Sequence, residues 1–245
     1  MVTIQSRGVT FSDIKAIIFD KDGTLQNSRE FARTLGQKRA RLIDARIPGI
    51  GEPLLMAFGI DGHSINPTGL MAVGSRRENE IAAAAYIAET GRGWLESLAI
   101  AKDTFDEAEK MLQKSAPSPL FIGSLEVLKY LSEAGIKIGI LSADSTAKVQ
   151  DFVKYYQLSD YIQLEMGVDT SLSKPDPQLF LQACDKLGVE PATALMVGDA
   201  PTDIEMANKA GAAGSIGICW GQPQANYLQG ADIAIAHLEE IKVLS

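Results

Sequence analysis

The sequence predicts an α/β fold in which a parallel sheet is covered by helices on both faces and interrupted once by an all-helical insertion. Short apolar runs recur and end in polar residues: Ile17-Ile18-Phe19 before Asp20, Ile138-Gly139-Ile140-Leu141 before Ser142, and Ala194-Leu195-Met196-Val197 before Gly198-Asp199. Runs that are apolar on both sides of the pleat belong in the middle of a parallel sheet. These runs alternate with helical patterns, the succession expected of such a sheet. Between Gln26 and Pro117 the alternation stops and only helix-periodic segments follow one another.

In chain order, the first strand begins near Lys15 and ends at Asp20, where Gly23 lets the chain turn sharply away. The insertion then offers helices over Arg29 to Ala45, Arg76 to Thr90, Gly93 to Ile100 and Phe105 to Ser115. Two of them carry Ser/Thr at the N-cap and Glu three residues on, Ser75-Arg76-Arg77-Glu78 and Thr104-Phe105-Asp106-Glu107, a pairing that satisfies orphan amides at a helix start. Gly91 suits the end of the first capped helix, and Pro117 with Pro119 stiffens the return. The core resumes as helix Ser124 to Glu133, strand Ile136 to Leu141, helix Ser145 to Tyr156 with Asp144 as its N-cap, and strand Tyr161 to Met166. Helix Pro177 to Leu187, strand Ala194 to Val197, helix Pro201 to Ala210 and strand Ser215 to Cys219 follow, with a short strand Asp232 to Ala236 before a closing helix. The domain reading is therefore core over 1–25, helical insertion over 26–117, and core again over 118–245.

Bulk composition narrows the functional classes. With 23 basic against 31 acidic residues the net charge is -8, which gives no basic footprint for a nucleic-acid partner. The segment Met1 to Asp13 lacks the apolar run of a signal peptide, and no stretch approaches the ~20 apolar residues that span a bilayer, so no membrane partner is expected. Cys184 and Cys219 sit in no metal or redox spacing and read as buried thiols. A cytoplasmic protein is expected; monomer and homodimer are both open.

Four segments carry chemistry, each at a strand end or in a loop. Asp20-Lys21-Asp22-Gly23-Thr24 sets two carboxylates two residues apart; Ser142-Ala143-Asp144 ends the second strand in a hydroxyl; Ser171-Leu172-Ser173-Lys174-Pro175-Asp176-Pro177 places a lysine before a helix; Gly198-Asp199-Ala200-Pro201-Thr202-Asp203 ends the third strand in acids. Open α/β sheets bind ligands at these carboxyl ends. In residue type and spacing the four segments resemble the motifs of the haloacid dehalogenase superfamily of phosphotransferases. The resemblance spans the core from about Lys15 to the carboxyl end, and the insertion is similar to the helical cap of the superfamily's first subclass on a Rossmann-like core. Gly217-Ile218-Cys219-Trp220-Gly221 with Ala231-Asp232 is similar to the phosphoglycolate-phosphatase-like branch.

The resemblance implies a phosphatase acting through an aspartyl-phosphate on a small phosphorylated metabolite. A carboxylate nucleophile divides a slow hydrolysis into two easier steps, but two anions must be held together by a cation. Mg2+ prefers oxygen ligands from one or two carboxylates plus substrate phosphate. Asp20 and Asp199, with the backbone carbonyl of Asp22, are the expected ligands, and Asp203 is expected behind them, orienting metal-bound water and Lys174. Asp20 is the implied nucleophile and Asp22 the general acid and base. Thr24 braces the loop, while Ser142, the Ala143 amide and Lys174 hold the phosphoryl oxygens. A phosphomutase of the β-phosphoglucomutase type is the alternative, since it uses the same core; a dehalogenase or phosphonatase is disfavoured by the second acid, Asp22. Specificity is expected from the helical insertion closing over the substrate, with His63, Arg76 and Arg77 as candidate donors to a phospho-acid or phospho-sugar.

Overall fold

The computed structural model describes residues 2–112, 116–169, 172–220 and 226–244. Packing divides the chain into two compact units, Met1–Asn27 with Pro119–Ser245, and Ser28–Ser118. In chain order the elements are β1 (Val2–Ser6), β2 (Val9–Ile14) and β3 (Ala16–Phe19), then α1 (Arg29–Arg46), α2 (Gly51–Phe58), β4 (Ile60–Asp61), β5 (Ser64–Ile65), α3 (Leu70–Val73), α4 (Arg76–Glu89) and α5 (Trp94–Leu112). The first unit resumes with α6 (Ser124–Glu133), β6 (Lys137–Leu141), α7 (Thr146–Tyr155), β7 (Leu164–Met166), α8 (Pro177–Leu187), β8 (Ala194–Gly198), α9 (Pro201–Ala210), β9 (Gly214–Ile218), β10 (Ile233–Ile235) and β11 (Lys242–Leu244).

The α/β class expected from the sequence is the one observed. Six strands form one sheet in the order β10-β9-β8-β3-β6-β7, and every neighbouring pair is parallel. The chain runs outward from β3 through β6 to β7, then returns to the other side of β3 and runs outward again through β8. The order therefore reverses at β3, and the crevice at the carboxyl ends there is where such sheets take ligands. Alternation along β3 sorts its side chains. Ile17 and Phe19 join the cluster formed with Val127, Leu128 and Leu131 of α6 and Val149, Phe152 and Val153 of α7. Ala16 and Ile18 face the opposite cluster, with Leu179, Phe180 and Ala183 of α8 and Met206 and Ala207 of α9. Burial on both faces is why the run reads as continuously apolar.

The amino terminus, read in sequence only for targeting signals, forms two strands of a three-stranded antiparallel sheet in the order β11-β1-β2. Arg7 and Gly8 turn the hairpin at φ of 44° and 89°; positive φ at both central residues matches the right-handed twist of the strands. The expected closing helix is replaced by a 3-10 turn, Leu238–Glu240, and β11. The expected strand from Tyr161 is shorter, because Tyr161 and Ile162 still belong to a turn that closes by backbone hydrogen bonds to Leu158.

The second unit packs α1, α2, α4 and α5 around Ile43, Leu54, Phe58, Ala84, Ile87 and Phe105. Its capping box at Ser75 is present: the hydroxyl accepts from the Glu78 amide and the Glu78 carboxylate accepts from the Ser75 amide at 2.7 Å. The second expected box is absent. Thr104 is buried inside a single long α5, its hydroxyl donating to the Ile100 carbonyl at 2.7 Å, so the separate helices expected over Gly93 to Ile100 and Phe105 to Ser115 are one. A Thr that bonds back one turn satisfies itself without ending the helix. Ser115, the expected end, lies outside the described residues. The unit also holds a two-residue antiparallel pair, β4 with β5, within a stretch expected to be wholly helical.

Candidate active site

The site is built from the carboxyl ends of β3, β6 and β8. The Asp20 amide donates to the Val197 carbonyl at 2.8 Å, so the last ladder bond of the sheet fixes this residue. Beyond it the chain folds into a tight loop in which the Leu25 and Gln26 amides donate to the Lys21 carbonyl. Gly23 takes φ of 83°, and a Cβ there would lie 2.0 Å from Asp199 Oδ2. Glycine is required on both counts, as backbone in the left-handed region and as the surface against which Asp199 rests. Thr24 is fully buried and its hydroxyl donates to Asp199 Oδ1 at 3.5 Å. Trp220, stacked on Phe121 at 3.9 Å, donates its indole N–H to the Gly23 carbonyl at 2.8 Å. In sequence a lone tryptophan after an apolar strand reads as a packed aromatic, and its hydrogen bond to the Gly23 loop comes only from the fold. Gly221, the last residue of that motif, lies outside the described residues, as does Ser171 of the lysine motif.

Lys174 joins the acids. Its ammonium lies 2.6 Å from Asp20 Oδ1 and 2.7 Å from Asp203 Oδ1, and all three residues are buried. Asp203 is placed by the first turn of α9, where its other oxygen accepts from the Ala200 amide at 3.3 Å. A Cβ on Gly198 would lie 2.4 Å from that carboxylate, so the strand end too is shaped to admit it. Carboxylate oxygens of Asp20, Asp199 and Asp203 all lie within 4.8 Å of one another. Burial pushes the Asp20 carboxyl up to about 6, against the pull of Lys174. Burial alone would lower Lys174, but Asp20 and Asp203 outweigh it and hold the ammonium above its usual range.

A second lysine organises the other side. Lys21 pairs with Asp22 and, at 3.0 Å, with Asp144. Asp144, expected to cap α7, does not: Ser145 occupies the N-cap, and the Asp144 carboxylate instead takes Lys21 and, at 3.0 Å, Lys148. Those lysines outweigh the effect of burial and hold its carboxyl down at about 2. Ser142 is buried, and its hydroxyl accepts from the Asp144 amide at 3.1 Å, while Ala143 beside it is exposed. The structure thus gathers Asp20, Thr24, Lys174, Asp199 and Asp203 into one contact network and places Asp22 and Ser142 in a second, joined through Asp144.

The donor set fits a hard divalent cation. Every ligand atom in the acidic cluster is a carboxylate oxygen, the donor type that hard divalent cations take, and Lys174 pairs with two of its three residues.

A family model for haloacid dehalogenase-like hydrolases matches residues 14–211. The chain belongs to that family. A phosphoglycolate phosphatase of Rhodospirillum rubrum is 32% identical over 208 residues, covering 80% of this chain and 76% of the relative. Among solved structures, one described as a predicted phosphoglycolate phosphatase of Haemophilus somnus superposes with a TM-score of 0.67 at 23% identity, covering 93% and 96% of the two chains. A β-phosphoglucomutase of Clostridium difficile superposes with a TM-score of 0.63 at 20% identity over 94% and 93%, a likeness of fold.

The three specificity candidates lie in the second unit. Arg76 is bound by Glu80 and Glu109, each at 2.9 Å, and by Asp106. Arg77 is largely exposed, with Glu80 at 3.7 Å. His63, between β4 and β5, contacts Arg33 through Nδ1 at 3.0 Å.

Proposed function

We propose that this hydrolase is a Mg2+-dependent phosphatase that cleaves a small phosphate monoester through an aspartyl-phosphate. The observation that carries the reading is the pairing of Lys174 with both Asp20 and Asp203 beside Asp199, at the point where the strand order of the sheet reverses. Asp20 attacks phosphorus while Asp22 gives its proton to the departing alkoxide. Water then attacks the aspartyl-phosphate, Asp22 takes a proton from it, and the bond from phosphorus to Asp20 breaks. Ser142, the Ala143 amide and Lys174 stabilise the charge on the transferring group. Asp20, Asp199 and the Asp22 carbonyl would hold Mg2+, with Asp203 orienting Lys174 from behind. The ion supplies charge neutralisation between nucleophile and phosphate.

Phosphatase is favoured over phosphomutase because a relative 32% identical over most of both chains carries a phosphatase name, whereas the mutase likeness is one of fold. That relative supports a small phospho-acid as substrate. Among the specificity candidates, the three carboxylates on Arg76 favour a structural role for it, so His63 and Arg77 are the stronger pair. Cys184 and Cys219 are buried and form no disulfide, which suits a reducing compartment such as the cytoplasm. Among the described residues no helix is long and apolar enough to cross a membrane.

The test is phosphate release from p-nitrophenyl phosphate and a panel of phosphorylated metabolites, with Mg2+ and with excess chelator. Turnover lost on chelation and in Asp20→Asn supports the reading. Turnover that survives either change overturns it, and a strict requirement for a bisphosphate activator with little phosphate release would establish the mutase instead.

A further inference from the structure

Lys21 stands between the two acids of the first motif, and the reaction scheme gives its side chain nothing to do. Yet that side chain is only 6% exposed, while the Asp22 side chain next to it keeps 39% of its surface. A buried ammonium persists only where it is paired. The Lys21 ammonium reaches the Asp22 carboxylate, Asp144 Oδ2 at 3.0 Å and Gln26 Oε1 at 3.5 Å, enough to occupy all three of its N–H donors. It also lies 5.9 Å from the centre of the Phe152 ring, at the outer limit of a cation–π contact and weaker than the ion pairs. What the lysine adds is therefore the link between carboxylates.

That link has a direction. Asp144 follows Ser142 by two residues and its amide donates to the Ser142 hydroxyl. A continuous path thus runs from the proton-transferring acid through Lys21 and Asp144 to the hydroxyl that holds the phosphoryl group. The other half of the site has the same construction, with Lys174 joining the nucleophile Asp20 to Asp203.

We infer that Lys21 is a positioning residue for the chemical step: by holding Asp22 Oδ2 against Asp144 it fixes the acid relative to the Ser142 loop and leaves proton transfer to Oδ1. This inference rests on the acid and base role proposed for Asp22.

Lys21→Met keeps the stem and removes the ammonium. An alkoxide needs a proton to leave and p-nitrophenolate does not, so a displaced acid penalises the two substrate classes differently. For the alkyl phosphate that the wild type turns over fastest, kcat/KM should fall by about 10²-fold or more, within the range of general acid catalysis. For p-nitrophenyl phosphate the fall should be at least about tenfold smaller. Rapid quench should show a larger steady-state share of aspartyl-phosphate, because attack by water has lost its base. Asp144→Asn should reproduce the pattern, and the double variant should lose no more than the worse single one, as for residues acting in one path. If Lys21→Met does not fold, Asp144→Asn carries the same comparison. Equal losses on the two substrates, or multiplicative losses in the double variant, overturn the inference and leave Lys21 a structural residue. Asp22→Asn run in parallel separates the two failures. If it shows no difference between alkyl and aryl phosphates, the role of Asp22 falls and the inference falls with it; if it shows the difference and Lys21→Met does not, only the positioning role falls.

Discussion

Lowering the pH should weaken Mg2+ binding through Asp20, and the structure sets the size of the effect. In the folded protein burial holds the Asp20 carboxyl at about 6, against about 3.9 in an unfolded chain. The folded state therefore binds this proton more tightly. Its contribution to stability is fully present below about pH 4 and is lost as pH rises through about 6, a change of about 3 kcal/mol at ~1.4 kcal/mol per unit. A metal ligand must be deprotonated, so the cation competes with that proton. Well above pH 6 the competition vanishes; at about pH 5 only about a tenth of Asp20 is ionised, and the apparent Kd should be about tenfold weaker. Titration calorimetry in buffers of differing ionisation enthalpy reads both quantities: about half a proton released per ion near pH 6, and close to one near pH 5. A Kd that stays constant within about twofold from pH 5 to 7.5, or binding without proton release near pH 5, would refute the assignment of Asp20 as a buried ligand.

Asp22→Asn should still form the aspartyl-phosphate but hydrolyse it slowly, so labelled phosphate should accumulate on the protein in a rapid quench; full turnover would remove Asp22 from the acid and base role. Ca2+ should inhibit the Mg2+-supported rate, because its larger and more flexible coordination misplaces nucleophile and phosphate, and a steady-state assay with both ions checks this. Gly23→Ala should abolish Mg2+ binding in calorimetry, since its Cβ would sit 2.0 Å from Asp199 Oδ2 at a φ of 83°; unchanged affinity would mean that Asp199 is not a ligand. Lys174→Met should cost about 3–5 kcal/mol by leaving Asp20 and Asp203 buried without their partner, a fall in Tm of about 6–20 °C by differential scanning fluorimetry for a chain of this size, and a fall under about 2 °C would contradict the pairing.

The legible parts of this chain are those whose signal is local. Strands β3, β6 and β8 show as apolar runs because both sides of each are buried, and the polar residue after each run marks the end of the sheet where Asp20, Ser142 and Asp199 converge. Helix α9 was legible from the proline that follows the strand, Pro201. Errors arose where a local pattern has two structural outcomes. Thr104 with Glu107 fits a capping box and fits equally the interior of a long helix in which the threonine bonds back to Ile100, and only packing of Phe105 and Ala108 into the core chooses. Asp144 before a helix fits a cap, until a lysine from the first motif claims its carboxylate. The hairpin at Arg7-Gly8 lacks the Asn-Gly or Asp-Gly signal of a two-residue turn, and its third strand, β11, comes from the far end of the chain.

Pairing across such distances accounts for how the acids of this site coexist. Asp20, Asp199 and Asp203 come within 4.8 Å, with Asp22 and Asp144 close by, and like charges at that density disfavour the ionised forms that the chemistry needs. Two lysines, each straddling a pair of carboxylates drawn from different strand ends, offset part of that repulsion within the chain itself. The offset is unequal. Asp144, held by two lysines, stays ionised down to about 2, whereas burial lifts Asp20 to about 6 against the pull of Lys174, which it shares with Asp203. The carboxylate proposed as nucleophile is thus the one whose burial its lysine does not overcome, and it lies in the cluster proposed to hold a divalent cation. A third lysine at that position would stabilise the resting protein while competing with the proposed cation, so a fully neutralised version of this site should fold better and turn over substrate more slowly.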